Sequence, residues 1–297
     1  MKGALDLGRI GFLLGLLAVI LGLSVFLGGI KVQIQQAAPE FQGHQKTNMV
    51  TLTLWDLLVK LYDSKSKIPV SDANIYLLYE KPKNIYVTPT KGIAAAATGV
   101  NGKYVFESVD VGRTYYVLAE ANGYYNALAE VNMPNELPEN QVNAKQPVAV
   151  DVYMDKKGDI LGVQVPLTYR GSSADVAKFV YDSDADNYKT EFSFVAGTDG
   201  VIKYKKLVID LNTDALGSAT IDTLKVYVGD KEFDFDNVTG AKTIKFDDEQ
   251  TIEAGSTLPI KMEVEGTGFD AVSGQLFTVT LYDVQSGEWS ATVEGPA

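Results

Sequence analysis

The sequence predicts a mainly β protein in which an N-terminal apolar α-helix, transmembrane or in a filament core, precedes two tandem β-sandwich domains. Three observations predict this class. The residues from Ile10 to Ile30 carry no charge, and from Thr51 onward apolar and polar residues alternate with a period of two. Turn signals such as Asn-Gly separate the short alternating runs. The expected segments are a helix at 1–36, a linker at 37–50, and sandwiches at 51–158 and 159–297.

The uncharged run is long enough to cross a membrane. It comprises the 21 residues from Ile10 to Ile30, which in a helix would span about 32 Å, close to the thickness of a bilayer core. Glycines, which let helices approach closely, recur near one face of this helix. They are Gly8, Gly11, Gly15, Gly22 and Gly29. We therefore expect residues 10–30 to anchor the chain in a membrane and to self-associate, with a cleaved secretory signal as the alternative.

The extreme N-terminus carries a short motif of its own. Lys2-Gly3, followed by Ala4-Leu5 and an apolar run, resembles the processing site of archaeal type IV pilin-like proteins over residues 2–35. The resemblance implies cleavage after Gly3 and bundling of the apolar helices into a filament core. Asp6 and Arg9 depart from this pattern, since the pilin helix is usually apolar there.

Composition excludes several classes of function. The 297 residues carry a net charge of −12 without a large block of Lys or Arg, so we expect no nucleic-acid partner. The chain has no cysteine and a single histidine, His44, in the predicted linker. These counts argue against Cys or Ser-His-Asp nucleophiles and against the usual zinc sites. No GxxxxGK[ST] motif is present. Carboxylate pairs for glycoside hydrolysis stay open among the 38 acidic residues, but we expect a protein that is not an enzyme.

Short alternating runs predict the first sandwich, of roughly 100 residues. The predicted strands are Thr51–Tyr62, Asn74–Tyr79, Lys103–Phe106, Thr114–Ala121 and Gln146–Met154. Asn101-Gly102 is typical of a two-residue hairpin turn, and Asn122-Gly123 closes the fourth strand.

Four ordered motifs in this region carry a family resemblance. They are Asp63 followed by Pro69-Val-Ser-Asp-Ala-Asn-Ile-Tyr-Leu, then Thr98-Gly-Val-Asn-Gly-Lys-Tyr-Val-Phe, Val111-Gly-Arg-Thr-Tyr and Ala121-Asn-Gly-Tyr. Together they resemble a carboxypeptidase regulatory-like, or CNA-B-like, domain over about residues 51–154. The resemblance implies a transthyretin-like sandwich that serves as a stalk or spacer in surface proteins.

Some members of that family form an isopeptide bond between Lys and Asn beside a glutamate. Glu120 matches the glutamate, but Leu61 stands where the lysine is expected. Lys60 is one position away and would point to the other face of the strand. We therefore expect no isopeptide bond here.

Further alternating runs predict a second sandwich of about eight strands, Ig-like or jelly-roll. The predicted strands are Glu191–Val195, Val201–Ile209, Thr223–Val228, Lys231–Phe235, Thr257–Glu265 and Leu276–Tyr282, with others unassigned. Gly229-Asp230 is expected to join two of them as a hairpin.

One acidic motif in the second sandwich is typical of a calcium loop. Asp182, Asp184 and Asp186 alternate, so their carboxylates are candidate ligands for a structural Ca²⁺. Asn187 would supply the left-handed residue of the turn. The alternative is a solvated acidic turn, since Glu191 falls two positions short of the EF-hand ligand. No other cofactor is expected.

Two surface features concern glycans. Asn237-Val-Thr is a candidate glycosylation site. The pairs Tyr115-Tyr116 and Tyr124-Tyr125 either fill the core or form a surface on which sugars stack.

These features together predict an extracellular structural protein at the cell surface. We expect it to partner with itself, as a filament or a surface array held by the N-terminal helix. A monomeric adhesin or receptor ectodomain that binds a glycan or a surface protein is one alternative. A membrane-anchored virion structural protein is another.

Overall fold

The structure is a computed structural model that describes residues 54–90, 92, 94–136 and 146–297. The described residues are mainly β, as the sequence predicts. The predicted helix at 1–36 and linker at 37–50 lie outside them. Helix within the described part is limited to one short α-helix and two 3-10 turns, none of which has the length and apolar character needed to span a membrane. They are α1 (Thr213–Leu216) and the turns Leu167–Tyr169 and Phe269–Ala271.

The chain divides into two compact units. Unit 1 comprises the described residues up to Asn122 together with Ala127–Met154, and unit 2 comprises Gly123–Asn126 and Asp155–Ala297.

Unit 1 contains seven strands among its described residues. They are β1 (Leu54–Asp63), β2 (Asn74–Leu78), β3 (Ala94–Ala97), β4 (Lys103–Asp110), β5 (Thr114–Glu120), β6 (Ala127–Asn132) and β7 (Val148–Met154). One sheet has the order β4-β1-β7 and the other has the order β3-β2-β5-β6. The pairing of β1 with β7 is parallel, and the others are antiparallel.

Strict alternation in β1 shows how the sequence builds the core of unit 1. Leu57, Val59 and Leu61 are fully buried, and the residues between them point outward. Ile75 of β2 and Val117 of β5 are fully buried in the other sheet. Each buried aliphatic side chain of this kind contributes about 1.5–3 kcal/mol.

The predicted hairpin turn at Asn101-Gly102 is wrong. The strands that flank this turn pair with different partners, β3 with β2 and β4 with β1. Gly102 has a φ of +65°, and a Cβ at this position would lie 2.9 Å from the carbonyl oxygens of Leu61 and Val70. The Leu61 N–H donates to the Gly102 carbonyl at 2.8 Å. The glycine is therefore required by close backbone packing against β1.

Unit 2 contains eleven strands among its described residues, more than the sequence predicts. They are β8 (Ile160–Gln164), β9 (Ala177–Lys178), β10 (Val180–Asp182), β11 (Asn187–Ala196), β12 (Ile202–Leu211), β13 (Thr223–Val228), β14 (Lys231–Asp236), β15 (Lys242–Ile252), β16 (Thr257–Glu265), β17 (Gln275–Asp283) and β18 (Glu288–Glu294). The unpredicted strands include β9 and β10, which are too short for a periodic signal. In β15 the acidic run Asp247–Glu249 lies at a register shift against β12, which obscures its alternation.

Two sheets enclose one hydrophobic core in unit 2. The first sheet has the order β10-β11-β16-β13-β14, with β8 also paired to β11, and the second has the order β15-β12-β17-β18-β9. Phe192 and Phe194 from the first sheet and Phe277 from the second are almost fully buried. The predicted hairpin at Gly229-Asp230 is confirmed, since Val228 pairs with Lys231 and Gly229 has a φ of +59°.

Candidate functional site

The most chemically distinctive surface of unit 2 is the outward side of β11, β16 and β13, called here the outer face. Alternation places Phe192, Ile260, Met262 and Val226 in the core, so the residues between them point outward. The outer face consists of Lys189, Glu191 and Ser193 on β11, Pro259, Lys261 and Glu263 on β16, and Lys225 and Tyr227 on β13.

Strand register arranges the charges of the outer face in opposed pairs. Lys189 of β11 and Lys225 of β13 both lie opposite Glu263, and Lys261 lies opposite Glu191. The Lys261 ammonium is 2.8 Å from the Glu263 carboxylate, and Lys189 is 3.9 Å from it. The hydrogen bond to Glu263 raises the pKa of Lys261. Opposite charges on neighbouring strands favour this register.

A groove of about 320 Å³ lies on the outer face. Its lining includes Pro166, Glu191, Ser193, Tyr227, Pro259 and Lys261. Within the described part of the chain, the Glu191 carboxylate and the hydroxyls of Ser193 and Tyr227 have no hydrogen bond or ion pair. Burial, and then the Glu263 carboxylate, raise the pKa of Tyr227, so its hydroxyl stays protonated and can donate. The groove thus combines apolar walls with polar groups that are available to a ligand.

The sequence did not single out this groove, although one signal was present. Pro259 lies inside β16, a position that proline seldom occupies because it cannot donate a ladder hydrogen bond. It pairs in register with Ser193, and its carbonyl accepts from the Gly229 N–H at 2.9 Å. A proline in an otherwise strand-like run therefore marked the position where the groove lies.

The structure does not gather the three predicted calcium ligands. Asp182 accepts a bond of 2.5 Å from Lys189, which lowers the pKa of Asp182, and Asp186 accepts one of 2.6 Å from the Tyr181 hydroxyl. Across the described ranges, no three Asp, Glu or His side chains come close enough to hold a metal ion. Calcium binding at Asp182, Asp184 and Asp186 stays a prediction. Thermal unfolding with Ca²⁺ and then with EDTA tests it, and an unchanged Tm would remove it.

The left-handed residue of this turn is Asp186 rather than Asn187. Asp186 has a φ of +53°, whereas Asn187 is buried and begins β11. The expectation for Asn187 is wrong because the strand starts one residue earlier than a calcium loop would allow.

Of the two interpretations of the tyrosine pairs, core filling holds for one tyrosine of each pair. Tyr115 and Tyr125 are each only 1% exposed. The Tyr125 hydroxyl donates to the Asp283 carboxylate and accepts from the Lys203 N–H at 2.9 Å. These two side chains are therefore not available to stack on a sugar.

Asn237 lies in an exposed turn directly after β14, with a φ of +48°. Its N–H donates to the Asp222 carbonyl at 2.8 Å. The side chain is therefore accessible, and glycosylation there stays a prediction.

The residues related to isopeptide chemistry lie in unit 1. Leu61 is buried, and Lys60 points outward, 3.7 Å from Asp151 on β7. Glu120 accepts a bond of 3.2 Å from the Tyr76 hydroxyl. Lys60 thus lies on the face opposite Leu61, as the strand period predicts.

The remaining predicted site residues lie outside the described residues. They are Gly3 and the assembly glycines Gly8, Gly11, Gly15, Gly22 and Gly29.

Comparisons with known proteins gave no match to a family model and none to a curated protein. Solved structures with some similarity include three Gram-positive pilins. BcpA, the major pilin subunit of Bacillus cereus, is 15% identical with a TM-score of 0.32, over 81% of this chain and 69% of that one. SpaD, the major pilin of Corynebacterium diphtheriae, is 14% identical with a TM-score of 0.30, over 87% and 66%. The T6 backbone pilin of Streptococcus pyogenes is 10% identical with a TM-score of 0.35, over 80% and 64%. TM-scores this low support no inference about this chain.

Proposed function

We propose that this chain is a non-enzymatic structural protein of the cell surface that assembles into a filament or an array. The observation that carries the proposal is the uncharged run of 21 residues from Ile10 to Ile30, placed before a chain that folds as β-sandwiches. Such a run inserts into a bilayer or packs against copies of itself. The glycine recurrence favours packing between helices, so the helix serves both as anchor and as assembly element.

The two units serve in this proposal as the extracellular part. The sheet pair β4-β1-β7 and β3-β2-β5-β6 supports a transthyretin-like spacer domain at 51–158. The larger pair of sheets in unit 2 supports an Ig-like or jelly-roll domain at 159–297. The helix at 1–36 and the linker at 37–50 complete the proposed organisation.

The sequence supports a structural rather than a catalytic role. Cysteine is absent, and the single histidine, His44, falls in the proposed linker. Cysteine nucleophiles and histidine general bases are therefore missing from the sandwiches.

Electron microscopy tests assembly directly. The full chain is extracted in detergent and examined by negative stain before and after detergent removal. We expect filaments or ordered arrays. Dispersed monomers at every protein concentration would contradict the proposal.

Paired variants test the glycine face. Gly15→Leu with Gly22→Leu should disperse the assembly, because two large side chains would separate the helix backbones. Ser24→Leu is the matched control, since at about 100° per residue it lies half a turn away from Gly15. Assemblies that survive the double change would exclude this face as the contact.

Processing at Gly3 is tested by the intact mass of the native protein. Loss of Met1–Gly3 supports the pilin-like N-terminus, whereas an intact Met1 supports a plain membrane anchor.

A further inference from the structure

We propose that the groove on the outer face of unit 2, where Tyr227, Glu191 and Ser193 converge, binds a neutral saccharide. This inference goes beyond structural assembly and does not depend on it.

The walls of the groove suit the apolar face of a sugar ring. Tyr227 contributes an aromatic ring, and Pro166 and Pro259 contribute rigid apolar surfaces. Sugars present C–H groups on one face, and these pack well on aromatic rings, which are apolar and flat. A volume of about 320 Å³ lies at the lower end of the usual range for small-molecule sites.

The polar groups of the groove suit the hydroxyls of a sugar. The Glu191 carboxylate accepts hydrogen bonds, whereas the hydroxyls of Ser193 and Tyr227 both donate and accept. None of the three has a hydrogen-bond partner among the described residues, so a ligand need not break existing bonds. Each group is held on a paired strand, with Glu191 opposite Lys261 and Ser193 opposite Pro259. Such preorganisation lowers the cost of binding.

The local charges favour a neutral ligand over an anion. Lys261 is the cation of the groove, and its ammonium is already paired with Glu263 at 2.8 Å. A phosphate or carboxylate would have to displace that pairing and approach the unpaired Glu191. The chain as a whole carries a net charge of −12, which also repels anions. A cationic ligand would in turn face Lys261, which lies opposite Glu191 in register.

Comparison with a second tyrosine of unit 2, Tyr282, shows why the ring of Tyr227 is available to a ligand. Both tyrosines have a lysine ammonium near the ring. Lys206 lies 3.5 Å from the ring centroid of Tyr282, whereas Lys261 lies 5.1 Å from that of Tyr227. The Tyr227 ring is therefore less closely covered by its lysine than the Tyr282 ring is. Tyr282 is therefore a matched control with the same chemistry outside the groove.

Saturation-transfer difference NMR on the full chain tests the inference. The protein is held in a detergent without a sugar headgroup, and the probes are the methyl glycosides of glucose, galactose, mannose and N-acetylglucosamine. We expect transfer to the ring protons of at least one probe. Tyr227→Ala should weaken that binding about tenfold, the effect of losing one good contact. Tyr282→Ala should leave it unchanged.

Further variants separate loss of binding from loss of fold. Tyr227→Phe keeps the ring and removes the hydroxyl, and Glu191→Gln keeps the shape and removes the charge. Both should weaken binding less than Tyr227→Ala does, with the Tm of each variant measured alongside.

Three outcomes would overturn the inference. They are the absence of transfer to all four glycosides, equal transfer in Tyr227→Ala and the parent chain, and stronger transfer to the cationic probe N-acetyl-lysinamide than to any glycoside. Filament formation is scored separately by electron microscopy, so failure of one proposal is distinguishable from failure of the other.

Discussion

The outward sides of two sheets differ in chemistry at the middle of their strands. In unit 1, β1 places Leu58 outward, and its neighbours across the strands are Val105 of β4 and Ala149 of β7. In unit 2, β16 places Lys261 and Glu263 outward among charged neighbours. Both faces come from strands with the same inward alternation.

The difference shows that period-two alternation specifies a strand but leaves the chemistry of its outward side open. The core fixes which residues point inward, and β1 and β16 both follow that rule. The outward residues are then free to serve contact with a partner, register or ligand binding. Four experiments test this distinction, in order of decreasing expected effect.

The first prediction contrasts inward and outward leucines of β1. Leu57→Ala should lower the free energy of unfolding by about 3 kcal/mol, because it leaves a cavity in the core. Leu58→Ala, one residue along, should cost less than about 1 kcal/mol, because its side chain is outward and partly exposed. Denaturant unfolding measures both. Equal losses would contradict the inward and outward assignment.

The second prediction contrasts two glycines with positive φ. Gly102→Ala should cost more than about 2 kcal/mol, since the new Cβ would meet two carbonyl oxygens as well as an unfavourable φ. Gly229→Ala adds a Cβ in open space, so it should cost only about 1 kcal/mol. Thermal unfolding of both variants provides the comparison. A larger loss at Gly229 would refute the close packing of Gly102 against β1.

The third prediction concerns pH and a buried tyrosine of unit 2. Burial raises the pKa of Tyr204 to about 12 from its ordinary value of 10.0. The folded state therefore keeps this proton where the unfolded state loses it. Stability from this group is complete below pH 10 and is lost as the pH rises from about 10 to about 12.

Tyr204→Phe provides the control for this pH dependence. Its stability should fall less steeply above pH 10 than that of the parent chain, as followed by circular dichroism. Parallel losses in both proteins would assign the alkaline transition to other groups.

The fourth prediction has the smallest effect and concerns the acidic turn. The hydrogen bond from Lys189 lowers the pKa of Asp182, so this pair adds stability above the unfolded pKa of about 4 and loses it as the pH falls. Lys189→Met should return the pKa of Asp182 toward its ordinary value. Carboxyl chemical shifts followed by NMR give the pKa. An unchanged value would show that Lys189 does not hold Asp182 in solution.

Local sequence rules predicted the regular parts of the fold well. The runs at Thr223–Val228 and Thr257–Glu265 match β13 and β16, and the Gly229-Asp230 turn joins the strands expected. Failures arose where tertiary contacts decide. Gly102, for example, packs against β1 rather than closing a hairpin.

The groove lay beyond such rules because it forms between strands that are remote in the chain. Glu191 and Tyr227 lie on different strands with β16 between them. Single-strand periodicity places each of them outward but cannot bring them to one groove. In the acidic turn, Lys189 and Tyr181 likewise supply hydrogen-bond partners that spacing alone does not reveal.

The strand β14 forms an edge of its sheet and alternates two inward phenylalanines with acidic residues. Two copies of this edge brought side by side would oppose Glu232, Asp234 and Asp236 with carboxylates of the same sign. That repulsion disfavours pairing between the β14 edges of two subunits. In the proposed filament, β14 would therefore not pair with a strand of a neighbouring subunit, and the subunits would contact each other through other surfaces.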